Sequence, residues 1–182
     1  DVDVSTTPGC DDFSYAGQFN DAGQLSYAGQ PFTVKVTAKN RLNGITVNYD
    51  GGSATLSDAA APGPGSFGST TVASSTFNKG VSSTQLTYNY LNKITAPHKL
   101  TLRATDTDKV TGDALKSLEV RSGRLWLSNV FGSEKTALQL PVQAQYWTGK
   151  TWALNSADNC TTVPAASVVR AGYLSHQGSA TT

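Results

Sequence analysis

An all-β fold is what this sequence predicts, on three observations. Apolar and polar residues alternate with period two through short runs of β-branched and aromatic residues. Turn-forming residues interrupt those runs about every ten positions, and no segment sustains a helical apolar period of about 3.6 residues over several turns. Many short strands, with no helices between them, point to an immunoglobulin-like Greek-key β-sandwich with an additional β-strand extension.

Element by element, the clearest strand is Phe32-Thr-Val-Lys-Val-Thr-Ala-Lys39, where Val34, Val36 and Ala38 face one way and Thr33, Lys35, Thr37 and Lys39 the other. Turn residues fill 40–44 and Ile45-Thr-Val-Asn-Tyr49 resumes the alternation, so a hairpin is expected, ended by Asp50-Gly-Gly52. The Ala, Pro and Gly of positions 57–69 predict a long surface loop. Strands are then expected over 70–77, 85–91, 99–104, 118–121, 124–128, 138–147 and 151–154, with room for one helical turn over 112–118. The stretch Phe13-Ser-Tyr-Ala-Gly-Gln18 recurs as Leu25-Ser-Tyr-Ala-Gly-Gln30. It is too short for an architectural repeat and reads as a duplicated edge strand or a coincidence. The expected organisation is an N-terminal segment over 1–23, the sandwich over 24–108 and a β extension packed on it over 109–161. A linker, tail or start of a next module follows over 162–182, in which positions 165–170 have the character of a strand that a neighbour could accept.

Composition narrows the function. With 14 basic and 13 acidic side chains the net charge is +1, so there is no global field to draw nucleic acid or an anionic membrane, and neither is an expected partner. No apolar run approaches the roughly 20 residues of a membrane helix, so direct membrane insertion is not expected. Ser and Thr make up about a quarter of the chain, far above ordinary usage and in keeping with an exported β protein. The sequence lacks Met and opens Asp1-Val-Asp-Val without a basic-then-apolar leader, which reads as a mature product or a piece of something longer. Cys10 and Cys160 stand 150 positions apart with no Cys-x-x-Cys pair and no His at zinc spacing. One disulfide tying the N-terminal segment to the far end is the natural reading, and two unrelated thiols the alternative.

Candidate chemistry is sparse. His98 and His176 are the histidines, so a Ser-His-Asp triad would rest on His98, whose plainer reading is a half-packed strand residue after Ala96-Pro97. Nucleophile-elbow, P-loop and dinucleotide motifs are missing. Glu119 and Glu134 are conceivable as a glycosidase pair, but a cross-strand ion pair among Arg121, Arg124 and Glu134 is the stronger reading for Glu134. No enzymatic activity and no cofactor are expected. Asp106, Asp108 and Asp113 cluster as weak Ca²⁺ candidates, against the plainer reading of a solvated acidic turn that lacks the EF-hand glycine and bidentate Glu. Trp126, Trp147 and Trp152 raise sugar binding, because exposed aromatic faces stack on sugar rings; packing against a core is the competing role. Tyr146 and Trp147 must point to opposite faces of one strand. A Lys-to-Asn isopeptide crosslink, which needs a buried Lys, Asn and acid, is not expected, since Lys35 and Glu119, the conceivable partners, both lie on polar faces.

Three stretches together resemble a known family. Arg121-Ser-Gly-Arg-Leu-Trp-Leu-Ser-Asn-Val-Phe-Gly-Ser-Glu134, Leu140-Pro-Val-Gln-Ala-Gln-Tyr-Trp-Thr-Gly149 and Asn155-Ser-Ala-Asp-Asn-Cys-Thr161 are similar to the DUF6701 region of MshQ-like proteins, surface proteins associated with type IV pili of the mannose-sensitive haemagglutinin kind. Upstream, Tyr27-Ala-Gly-Gln-Pro-Phe-Thr-Val-Lys-Val-Thr-Ala-Lys-Asn40, Asn48-Tyr-Asp-Gly51, Thr76-Phe-Asn-Lys-Gly80 and Leu100-Thr-Leu-Arg-Ala-Thr-Asp106 fit the same region and resemble a bacterial Ig-like repeat. The chain departs from the family's pattern at Asp106-Thr-Asp-Lys109, where an Asp-x-Asp-Gly stretch is usual, and at Ser122 and His98, where an aromatic is usual. The resemblance implies a non-catalytic structural or adhesion module of an exported, pilus- or envelope-associated protein at the cell surface. Its partners would be other domains of the same protein, pilus subunits, or a glycan or host-surface ligand. A carbohydrate-binding or adhesive module that contacts ligand through aromatic and loop residues is the alternative.

Overall fold

The computed structural model describes residues 1–49, 52–60, 63–133, 135–137 and 139–164. Nearly every regular element among them is a strand. The first eight are β1 (Val2–Thr7), β2 (Phe13–Tyr15), β3 (Gly17–Phe19), β4 (Leu25–Tyr27), β5 (Phe32–Ala38), β6 (Ala54–Asp58), β7 (Gly65–Phe67) and β8 (Thr71–Val72). After a 3₁₀ turn (Ser74–Thr76) come β9 (Val81–Leu86), β10 (Tyr88–Tyr90), β11 (His98–Leu100), β12 (Leu102–Thr105), β13 (Thr111–Asp113) and β14 (Leu118–Arg121). The last three are β15 (Gly123–Leu127), β16 (Val142–Trp147) and β17 (Trp152–Leu154).

Five small sheets result, in the orders β1-β5-β9, β4-β3-β10-β7, β11-β14-β2, β13-β12-β6-β8 and β15-β16-β17. Pairing is antiparallel except for β3 with β10 and β2 with β14, which run parallel. Single-residue breaks at Thr87 and Thr101 separate β9 from β10 and β11 from β12, so the chain bends from one sheet into the next around one core. Phe32, Val34 and Val36 of β5 are buried in that core, beside Val4, Leu56, Leu100, Leu102, Ala104, Leu118 and Val120. Each of the valine, leucine and phenylalanine side chains contributes roughly 1.5–3 kcal/mol by leaving water. The buried Tyr90 hydroxyl donates to the Val120 carbonyl at 2.6 Å, joining β10 to β14 across the interior.

The fold is all-β, with sheets packed around a shared core as a sandwich requires. Several local expectations are corrected. The hairpin from β5 through 40–44 does not extend: the turn closes through Asn40 N–H to the Gly44 carbonyl at 2.8 Å, but Ile45 makes only an isolated bridge to Lys39. Both edges of β5 are occupied, by β1 over Val2–Thr7 and by β9, so the pairing stops after Thr46 N–H binds the Ala38 carbonyl at 2.9 Å, and 47–49 form no strand. The long loop expected over 57–69 is shorter, because β6 runs to Asp58 and β7 begins at Gly65. The strand over 70–77 stops at Val72 and gives way to the 3₁₀ turn. The helical turn over 112–118 is instead the end of β13 followed by bends. The core starts at β1 and reaches Val120, beyond the span 24–108 on both sides.

The repeated Tyr-Ala-Gly-Gln also has a physical account. Gly17 and Gly29 lie against one another: a Cβ on Gly29 would meet the Gly17 backbone nitrogen at 2.8 Å, and one on Gly17 would strike the Asn89 side chain. Gln30 N–H donates to the Tyr15 carbonyl at 2.7 Å, while the Gln30 side chain accepts the Tyr15 N–H at 3.1 Å. The two copies are therefore mutual packing partners, and the glycines are required by their close approach.

Candidate functional site

Two features stand out where the chain leaves the sandwich at 121–123. The first is a junction. Cys10 and Cys160 form a disulfide with a Cα–Cα distance of 5.5 Å. Beside it the Tyr15 hydroxyl donates to Asp158 Oδ2 at 2.7 Å and accepts from Asn155 Nδ2 at 2.6 Å. Asn155, 4% exposed, accepts from Arg121 at 2.5 Å through its own oxygen, and Arg121 Nε donates to Glu119 Oε1 at 2.6 Å. The Arg121 guanidinium is sandwiched by Phe13 at 4.4 Å and Tyr146 at 4.8 Å. One chain of hydrogen bonds, charge-assisted at the Arg121 and Asp158 ends, thus runs from β14 through β2 to the 155–161 loop.

The electrostatics follow from that arrangement. Burial first, then the hydrogen bond to the Asp158 carboxylate, pushes the Tyr15 phenol up to about 12. For Asp158 itself burial acts upward, but the hydrogen bonds from Thr161, Tyr15 and the Cys160 N–H prevail and hold the carboxyl below its usual range. Among the described residues, Cys10, Asp158 and Cys160 are the one trio of potential metal ligands brought together, and both sulfurs are already joined in the disulfide.

The second feature is an open cleft of about 700 Å³. One side comes from β3 and the turn after it, where the Asn20 side chain accepts the N–H groups of Ala22 and Gln24 at 3.0 and 2.9 Å. The 91–94 loop after β10 supplies Asn92, Lys93 and Ile94, and the β16–β17 hairpin supplies Trp147 and Trp152. Trp147 is fixed by its indole N–H, which donates to the Ile94 carbonyl at 2.9 Å. The hairpin turn is held by Thr148, whose hydroxyl accepts the Thr151 N–H at 3.1 Å. It passes through Gly149 at φ +100°, where any Cβ would land on the Thr95 carbonyl. Lys93 lies 4.4 Å above the Trp147 ring and Arg124 lies 4.4 Å from Trp152, so both indoles carry a cation. Asp21 and Lys93 are the charged residues lining the cleft.

Of the site residues read from sequence, Trp147 and Trp152 come together, with ring centroids 5.5 Å apart. Trp126 lies outside the cleft lining but on the same face of the β15–β16–β17 sheet: Trp126 pairs with Gln143, Arg124 with Gln145, and Trp147 with Trp152, and directly opposed residues point the same way. Arg121 and Arg124 find different partners, Glu119 and Gln145; Glu134 and His176 lie outside the described residues. Asp113 is held by Arg103 through bonds of 2.7 and 2.8 Å, and Asp106 caps the Val110 N–H at 2.9 Å across a tight turn in which Lys109 takes φ +64°. That positive φ is where the family's usual glycine would sit.

Sequence reading missed three things. Tyr15, Asn155 and Asp158 act together although about 140 residues separate the first from the others; the Asn155-to-Cys160 motif was visible, but its partner was not. Lys93 gave no signal. Asp58 was also passed over: its Oδ2 lies 2.6 Å from His98 Nε2, and the imidazole stacks on Tyr88 at 5.7 Å. Burial, then the Asp58 carboxylate, pushes the Tyr88 phenol up to about 12. Among the described residues no hydroxyl nucleophile bonds this imidazole, so the pair fixes β6 to β11 and lacks the third member of a triad.

No helix among the described residues is long and apolar enough to cross a membrane. Neither curated proteins nor solved structures give a match. The family profile described as DUF6701, fourth domain, matches residues 121–182, and the one described as DUF6701, third domain, matches residues 1–124. The change from one to the other falls at the corner between β14, which holds the last buried core residue, Val120, and β15, which opens the β15–β16–β17 sheet, and the chain belongs to the DUF6701 family.

Proposed function

We propose that this chain is a non-catalytic structural module of an exported surface protein, of the MshQ-like, pilus- or envelope-associated kind, built to transmit tension without unfolding. The observation that supports it most is the path of the Cys10–Cys160 disulfide, which joins the third family domain to the fourth. Tension applied on either side crosses from residue 10 to residue 160 through the bridge and bypasses every strand from β2 to β17. Among the described strands, only β1 lies outside the loop. An oxidising compartment is where such a bond persists, in keeping with an extracellular or cell-surface location. An Ig-like reading of the sandwich agrees with this role, since stacked β modules serve as spacers. No enzymatic chemistry and no cofactor are proposed, because the ionisable groups in contact are engaged in holding strands together.

Single-molecule stretching of the protein between handles at its two ends tests this. The oxidised protein should lengthen by only about 30 Å within the module, as β1 peels from β5, whereas the reduced protein should release the enclosed 150 positions, roughly 500 Å of extended chain. Equal extensions in the two states would refute the proposal. A second reading, a module that also contacts ligand, is favoured by the cleft bearing Trp147 and Trp152.

A further inference from the structure

We infer that the tryptophan face of the β15–β16–β17 sheet, continuous with the cleft, is a binding site for a carboxylated saccharide. The inference deepens the ligand-contacting reading and is independent of the tension-bearing one. Cross-strand pairing sets out the face in rows: Trp126 beside Gln143, then Arg124 beside Gln145 and Leu154, then Trp147 beside Trp152. Trp126 and Trp147 are separated by four residues along the strands, about 14 Å at roughly 3.4 Å per residue, a span that suits a short oligosaccharide. Flat apolar rings alternate with amide groups, and Trp126 is 38% exposed. Indoles present C–H-accepting faces to sugar rings, and the Gln143 amide group and the remaining Gln145 N–H offer donors for ring hydroxyls, Gln145 Nε2 also donating to Gln143 Oε1 at 3.3 Å.

Charge selects among saccharides. Arg124 and Lys93 lie against Trp152 and Trp147, and among the described residues neither is in a salt bridge with a carboxylate. Arg124 spends Nε and one terminal nitrogen on Gln145 Oε1, at 3.0 and 2.8 Å, which leaves its other terminal nitrogen for a carboxylate. A sugar acid would therefore find stacking surface and counter-charge on one face. A nucleic acid strand also stacks on aromatics, but a net charge of +1 supplies no phosphate-tracking groove.

The test uses the oxidised protein, an oligogalacturonate of four to six rings and its methyl ester, read by tryptophan fluorescence and calorimetry. Quenching and binding of the acid are expected, with the ester weaker by about tenfold or more. Trp126→Ala should weaken binding of both by about tenfold, while Arg124→Gln should weaken the acid alone. Both residues are exposed, and melting curves within a few degrees of the parent will show that the variants fold. No binding of the acid up to roughly 10 mM, equal affinity for acid and ester, or tighter binding of a single-stranded oligonucleotide would each overturn the inference. None of these outcomes bears on the stretching result.

Discussion

Asn155→Ala is the sharpest probe of the junction. The side chain is 4% exposed, donates to the Tyr15 hydroxyl at 2.6 Å and accepts from Arg121 at 2.5 Å. A neutral hydrogen bond contributes about 1 kcal/mol and one to a charged group about 1.5–3, so the substitution should cost roughly 2.5–4 kcal/mol. Arg121 keeps Glu119 and Tyr15 keeps Asp158, which places the expectation in the lower half of that range. In a chain of this size each kcal/mol moves Tm by about 2–4 °C, so a fall of roughly 5–12 °C is expected. Thermal and urea unfolding of the oxidised protein would measure it, in a double-mutant cycle with Tyr15→Phe. Because the two side chains share a bond, the pair should fall short of additivity by about 1 kcal/mol. A loss below about 0.5 kcal/mol, or additivity within error, would show that the network exists without stabilising the junction.

Two further outcomes are expected. Replacing Cys10 and Cys160 together by Ser should lower stability by up to about 5 kcal/mol, the chain-entropy figure for a loop of 150 positions; a Tm change of less than about 3 °C would contradict that. At alkaline pH, Tyr15 contributes as a neutral phenol whose folded pKa, about 12, exceeds the unfolded value of about 10. Its stabilisation is complete below pH 10 and is lost as pH rises through about 12. Tyr88, also near 12, acts with the same sign, so the difference between parent and Tyr15→Phe urea midpoints across this window isolates Tyr15; parallel curves would refute the assignment.

What the sequence disclosed, and what it did not, divides along a physical line. Alternation fixes which face of a strand is buried: Val34 and Val36 are interior and Lys35 is exposed, as period two requires. It does not choose the partner strand. Residues 45–49 carry a passable strand pattern, yet β1 and β9 already satisfy both edges of β5, and β1 arrives from 30 positions upstream. The Trp face was legible as three residues and illegible as one surface, because placing Trp126 with Trp147 needs the register of β15 on β16. The three Asp near 106–113 looked like a cluster in sequence, but the β12–β13 hairpin turns Asp113 to Arg103. Networks between distant positions, such as Tyr15 with Asp158, leave no local periodicity to read.

The junction and the cleft depend on the same piece of chain. Residues 121–123 lead from β14 into the β15–β16–β17 sheet; Ala16 N–H binds the Arg121 carbonyl at 2.8 Å and Trp147 N–H binds the Ser122 carbonyl at 2.9 Å. One cleft wall belongs to β3 and the 91–94 loop, the other to the β16–β17 hairpin, so the cleft keeps its width only if this corner keeps its angle. Ordering a loose corner at the moment of binding would be charged against affinity, whereas a corner already fixed by a disulfide and Asn155 is preorganised. On the proposed reading, a module stiffened to carry tension would thereby also be suited to hold a ligand surface open. On this argument Asn155→Ala, whose side chain bonds Tyr15 and Arg121 in the junction and no residue of the Trp face, should weaken saccharide binding while Trp126→Ala leaves stability unchanged. Weakening by both with stability lost by both would instead mean that the two surfaces are one packing unit.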